Sequence, residues 1–261
     1  MRNICLVLEY DGTNFNGFQI QPDEHIITVQ GEIQRAIEEI TGIKTKIYGA
    51  GRTDAGVSAD QQYANFFTES KIPAEKFKFA LNTKLPAEIS INQSFEVPNS
   101  FHSRHSAIRR TYRYRILNSP TRSAVRRNFV YQSWPKLNFE LMKKAWLTLR
   151  GEHDFSAFCI SDTDRLIMKC EIFDTSCYIN NDELVFFITG DTFLRGMVRL
   201  LIGTLIHIGK EKLKPEELME IVKNKQRERV VFSVPASGLS LIKIEYPEES
   251  FLFKDFDNIT T

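Results

Sequence analysis

From Asn3 to Val97 the spacing of apolar residues switches in a fixed order, and that order constrains the fold more than any single motif. "NICLVLEYDG" reads as a strand. Between Thr28 and Thr41, Val29, Ile33, Ala36, Ile37 and Ile40 fall on one face at 3.6-residue spacing, with Thr28 placed to cap the start and Gly42 to stop the end. Strands come next near "IKTKIYGA" and "QQYANFFT", then a helix after Pro73 in "AEKFKFALNTKL" and a strand in "EISINQSFEV". The order is β-α-β-β-α-β, a split βαβ arrangement whose helices cover one face of an antiparallel sheet. The remainder repeats it: "RRTYRYRIL" as strand, a helix opened by Asn138 with Phe139, Met142, Trp146 and Leu149 on one side, and strands in "CEIFDTSCYIN" and "ELVFFITG". Helices in "TFLRGMVRLLIGTLIHIG" and, after Pro215, in "EELMEIVKN" precede a last strand in "GLSLIKIEY". The expected fold is α+β: two similar split-βαβ (ferredoxin-like) halves, residues 1–105 and 106–261, with antiparallel sheets flanking a central cleft that suits an active site.

A chain of 261 residues with 42% apolar content and 20 phenylalanines can fill such cores. Its opening apolar run meets Glu9 and Asp11, too short for a signal-peptide core or a membrane span, and the reading is cytoplasmic. Cys5, Cys159, Cys170 and Cys177 form no CxxC pair and have no histidine at metal-ligand spacing, which argues for reduced, structural cysteines and against a zinc site. The net charge of +1 hides an uneven distribution. Residues 101–127 hold Arg104, Arg109, Arg110, Arg113, Arg115, Arg122, Arg126 and Arg127 and no acid, whereas the tail from Glu245 to Asp257 is acid-rich. Such a guanidinium block is either a contact surface for a polyanion or a solvated strand and loop; interleaved aromatics favour the first.

Three stretches need explaining. "YGAGRTDAGV", residues 48–57, is not a phosphate cradle, because the chain from Val57 onward reads as strand and the glycine spacing fits neither nucleotide-binding pattern. A hairpin turn accounts for Asp54 and Gly56, but not for an arginine two residues before an aspartate in so constrained a loop. "FLRGMVRLLIGTLIHI" reads as a buried helix carrying Arg199 in its middle. Either Arg199 snorkels to solvent along its stem, or it reaches a buried acid, and Asp54 sits in the most constrained loop of any acid in the chain. In "RRTYRYR" a strand places Arg110, Tyr112 and Tyr114 on one face, rings beside guanidinium groups, as a flipped-out or single-stranded base would need. Tyrosine is equally a common strand residue, and a structural role for Tyr114 stays open.

With these stretches the sequence resembles the TruA family of tRNA pseudouridine synthases. "EYDGTNFNGFQIQP", "GAGRTDAGV", "SFHSRHSAIRRTYRYRI", "FLRGMVRLLIGTLIHIG" and "VPASGLSL" are similar, in order, to five separated blocks of that family. Phe18, Ser58 and Gln61 depart from its usual tryptophan, histidine and glycine. The resemblance implies an isomerase with no metal or cofactor, acting as a homodimer on uridines 38–40 in the anticodon arm of tRNA. It implies Asp54 as the catalytic aspartate, either nucleophile or base, Tyr112 stacking on the target base, and Arg199 pairing with the aspartate. Arg52 and Arg110 would help bind the substrate, and Phe101, His102 and Arg104 would lie in an RNA-facing segment.

Overall fold

The computed structural model describes residues 1–23, 25–160 and 168–251. Strand β1 (Arg2–Tyr10) pairs antiparallel with β3 (Ser58–Thr68) on one edge and with β4 (Ile89–Val97) on the other. β2 (Ile47–Gly49) pairs antiparallel with β3. β1 and β2 therefore run in one direction with β3 between them, and β3 and β4 in the other with β1 between them. Two split βαβ units are interleaved, as the period changes imply.

The connecting helices show where local sequence is overruled. α1 (Val29–Thr41) begins where expected: Gly31 N–H donates to Thr28 Oγ1 at 3.2 Å, and Gly42 closes the helix at φ +72°. Val29, Ile33, Ala36 and Ile37 are buried. β2 is shorter than "IKTKIYGA", and α1 holds its first residue. Gln30 donates to Ile47 O at 3.1 Å and Gln34 accepts from Ile47 N–H at 3.1 Å, so side-chain amides take groups that a longer strand would offer a neighbour. α2 (Phe77–Asn82) is likewise short, preceded by a 3-10 turn over Ala74–Lys76. Asn82 turns to β4, donating to Ile91 O and accepting from Ile91 N–H.

The chain forms two compact units, Met1–Ile108 together with the chain from Leu241, and Arg109–Ser240. A division at residue 105 carries the second half to the chain end, whereas most of β10 (Leu239–Glu245) and the residues after it pack with the first unit. Ile108 N–H donates to Glu245 O at 2.9 Å, and Tyr246 Oη donates to Ser103 O at 2.7 Å. Phe251 joins the rings of Phe95, Phe101 and Tyr246 at centroid distances of 5.5–5.7 Å. Aromatic burial, invisible to a period count, decides where this segment belongs. Of the acid-rich tail, residues 252–257 lie outside the described residues.

In the second unit β5 (Arg109–Leu117), β9 (Glu183–Gly190) and β8 (Lys169–Asn180) pair antiparallel in that order, so β5 and β8 flank β9 in a further split unit. Two strands are additional to the sequence pattern: β7 (Gly151–Asp154) on the edge of β8, and β6 (Tyr131–Gln132), parallel to β5. α3 (Phe139–Trp146), capped by Asn138, lays Trp146 against Phe186, and its indole N–H donates to Phe187 O. α4 (Met197–Gly209) is buried along nearly its whole length, and α5 (Glu217–Lys223) comes after it. Among the described residues no helix is long and apolar enough to cross a membrane.

Candidate functional site

The loop between β2 and β3 is held from both flanks. On one side lies Tyr10–Phe18. The hydroxyls of Tyr10 and Thr53 are hydrogen-bonded at 2.8 Å, Phe18 N–H donates to Thr53 O at 3.1 Å, and Gly56 N–H donates to Phe15 O at 3.2 Å. Gly12 and Gly17 make this approach possible. A Cβ on Gly12 would stand 2.1 Å from Val57 O, and one on Gly17, whose φ is +90°, would stand 2.7 Å from Thr53 O. On the other side the buried amide of Gln62 accepts from Gly51 N–H at 3.3 Å and donates to Gly51 O at 2.9 Å. Within the loop Val57 N–H donates to Asp54 O at 3.1 Å, and Gly56 supplies the left-handed residue of the turn at φ +78°. The outcome is an alternation: Arg52 exposed, Thr53 buried, Asp54 half-buried. Ser58 is buried and accepts from Gly12 N–H at 3.0 Å, while Phe18 packs over Gly49, so two of the three departures from the family pattern belong to the loop's scaffold.

The segment Phe101–Ser106 is built into the same unit. Phe101 does not face solvent; it is 4% exposed and sits against Tyr246 and Phe251, which corrects its expected RNA-facing position to that of an anchor. Ser103 is fully buried. Its N–H and hydroxyl both donate to Asn65 Oδ1, at 2.9 and 3.0 Å, and Asn65 in turn donates to Asn3. With Ser103 turned inward, its neighbours sit nearer the surface: Arg104 is exposed and His102 half-buried. Tyr48, in the strand that leads into the Asp54 loop, lies 4.9 Å from the His102 ring. Burial, helped by the nearby His105 and Arg104, lowers the His102 pKa below the ordinary histidine value.

The second unit carries the other expected residues. Tyr112 is buried in β5 and meets Phe193 edge-to-face at 5.0 Å. Tyr114 is structural: fully buried, it donates its hydroxyl to Pro235 O at 2.9 Å. Arg110 donates to Asp191 O at 2.6 Å. α4 starts at Met197, so Arg199 stands in its first turn and not in its middle; Gly196, at φ +70°, separates it from "FLR". Its Nε donates to Val234 O at 2.7 Å, which fixes the stem along the 230–234 loop. A cation therefore occupies a helix start, where the backbone dipole favours an anion, and both contribute positive potential there.

The arginine block is less uniform than its sequence suggests. Arg115 binds Glu183 through two hydrogen bonds, at 2.8 and 3.0 Å, and Arg126 spans Asp182 and Glu183. These two are committed to acids from β9 and the turn before it. Arg109 lies over the Phe173 ring.

A family model described as tRNA pseudouridine synthase matches residues 6–106 and 145–247. The chain belongs to the tRNA pseudouridine synthase family. It is 43% identical to tRNA pseudouridine synthase A of Thermoanaerobacter sp. (strain X514), 42% to that of Clostridium acetobutylicum and 43% to that of Acetivibrio thermocellus, in each case over 94% of this chain and 100% of the relative. Pseudouridine synthases are isomerases. The matched segments contain Arg52, Asp54, Phe101, His102, Arg104 and Arg199; Arg110 and Tyr112 lie between them. Gln62 and Tyr10 fix the loop; Tyr10 stands in the first family block, whereas no sequence pattern singles out Gln62. The role of Gln62 is visible only once β2 and β3 are paired, which brings its amide to Gly51.

Proposed function

We propose that this protein isomerises uridine to pseudouridine in the anticodon arm of tRNA, at positions 38–40, with Asp54 as the catalytic carboxylate. The observation that carries the proposal is the clamped loop. An aspartate held half-buried by backbone bonds on both sides of its turn is preorganised for chemistry, and an ordinary solvent turn needs no such scaffold.

The reaction breaks the bond from ribose C1′ to N1 of the base, turns the base, joins C5 to C1′, releases the C5 proton to solvent and leaves N1 carrying a proton taken up in its place. A uridine within a stacked arm must first be extruded, at about a few kcal/mol, and held by stacking and edge hydrogen bonds. Tyr112 is the proposed stacking ring, and Arg52 and Arg110 contact the extruded nucleotide. Asp54 acts ionised, as nucleophile or as base. Arg199, in this reading, is the cation that pairs with it. The protein works in the cytoplasm as a homodimer, which sedimentation of the free enzyme would check.

The test is tritium release from tRNA labelled at uridine C5 under single-turnover conditions. Wild type should release a few equivalents per tRNA, and Asp54→Asn should bind tRNA normally and release none. More than about a tenth of the wild-type rate in Asp54→Asn would overturn the assignment of the carboxylate. Release mapped outside positions 38–40 would overturn the choice of site. Arg199→Ala should lower kcat more than it raises KM.

A further inference from the structure

One cluster on the first unit is not used by the chemistry above. The ring of Tyr48 lies 4.9 Å from that of His102, which lies 4.4 Å from that of His105, and Lys46 Nζ stands 5.4 Å over Tyr48. Lys46 and His105 are exposed; Tyr48 and His102 are half-buried.

We propose that Lys46, Tyr48, His102 and His105 form a second RNA contact, which takes an unpaired nucleotide of the substrate tRNA away from the reacting uridine.

Three features support it. The cluster joins two elements, β2 and the segment after β4, and each is fixed from beneath: β2 by the amides of Gln30 and Gln34, the segment by Ser103 on Asn65. Its histidine chemistry is also specified. Arg104 N–H donates to His102 Nδ1 at 3.1 Å, so that nitrogen is the acceptor and Nε2 carries the proton of the neutral ring. A neutral imidazole can lie against a second histidine without charge repulsion and still offer a donor to a base or a phosphate. Finally, rings flanked by Lys46 and Arg104 match the mixture by which proteins hold single-stranded RNA, aromatic faces for bases and cations for the backbone.

The inference rests on the proposed tRNA reaction, and the experiment separates the two. Binding of an unmodified tRNA transcript is measured in an Asp54→Asn background, where turnover cannot interfere. Tyr48→Ala and His105→Ala should each weaken binding about tenfold, in line with the loss of one stacked base. Tyr48→Phe should bind as the parent does. Lys46→Gln, at an exposed position that does not threaten the fold, should reduce the slope of log K against log salt by about 0.7–0.9. Unchanged affinity and slope across the set would overturn the inference. So would weakening confined to Tyr48→Ala, which would mean only that β2 had been disturbed. Failure of wild-type protein to release tritium from tRNA would instead overturn the reaction, whatever the binding of these variants.

Discussion

Gln62 is a residue whose importance no spacing rule announces. It lies in a strand, reads as an ordinary polar position, and is fully buried with its amide on both backbone groups of Gly51. Gln62→Ala should leave those groups without their partner and cost about 2–3 kcal/mol, read by urea unfolding. It should also lower kcat, since the backbone two residues before Thr53 loses its support. Gly12→Ala tests the opposite flank, where a Cβ would stand 2.1 Å from Val57 O. The expected result is a loss of at least about tenfold in kcat/KM, because the loop that carries Asp54 moves. The glycines of "GAGRTDAGV" make a constrained loop legible from sequence, and the family blocks make Asp54 its candidate centre. Tyr10 and Phe18 stand in a family block but their contacts with the loop do not show there, and Gln62 is not legible at all, because its amide meets Gly51 only once β2 and β3 pair.

At the scale of elements, the periodic segments are legible and their ends less so. α1 matches its pattern because cap and period agree, and β5 covers the residues its pattern gave. α4 does not begin at "TFLR", since Gly196 adopts a left-handed conformation and restarts the chain, which puts Arg199 in the first turn. β2 has its first residue held by glutamines of a neighbouring helix, a contact that propensity cannot register. The arginine block divides at the same scale. Glu183, 3% exposed, lies between Arg115 and Arg126, and Glu183→Ala should destabilise the protein by about 2–3 kcal/mol, measured as a fall in denaturation midpoint. Hydrogen bonds from Arg126 hold the Asp182 carboxyl below its ordinary value of 3.8. A carboxyl depressed in the folded state contributes stability that is complete above the ordinary value and lost as pH falls through the depressed one. The stability difference between wild type and Asp182→Asn should therefore shrink as pH is lowered from about 5 to about 3.

For the whole molecule, the instructive segment is the last one. The order of strands and helices is enough to propose two α+β halves, because alternation of period survives any sequence drift that keeps the cores apolar. Which half owns the closing strand is not legible, since Tyr246 and Phe251 find Tyr63, Phe95 and Phe101 only in three dimensions. A fragment ending at Ile108 should lack a fixed aromatic environment, seen as weak near-ultraviolet dichroism, and a peptide covering residues 239–251 should restore it. The arrangement also bears on synthesis. A ribosome makes the Asp54 loop before Phe251, so the aromatic patch around Phe101 waits, uncovered, while the intervening second unit is translated. The unit that carries the Asp54 loop is begun before the second unit and completed after it, and a nascent chain of this kind would present its apolar face to chaperones in the interval.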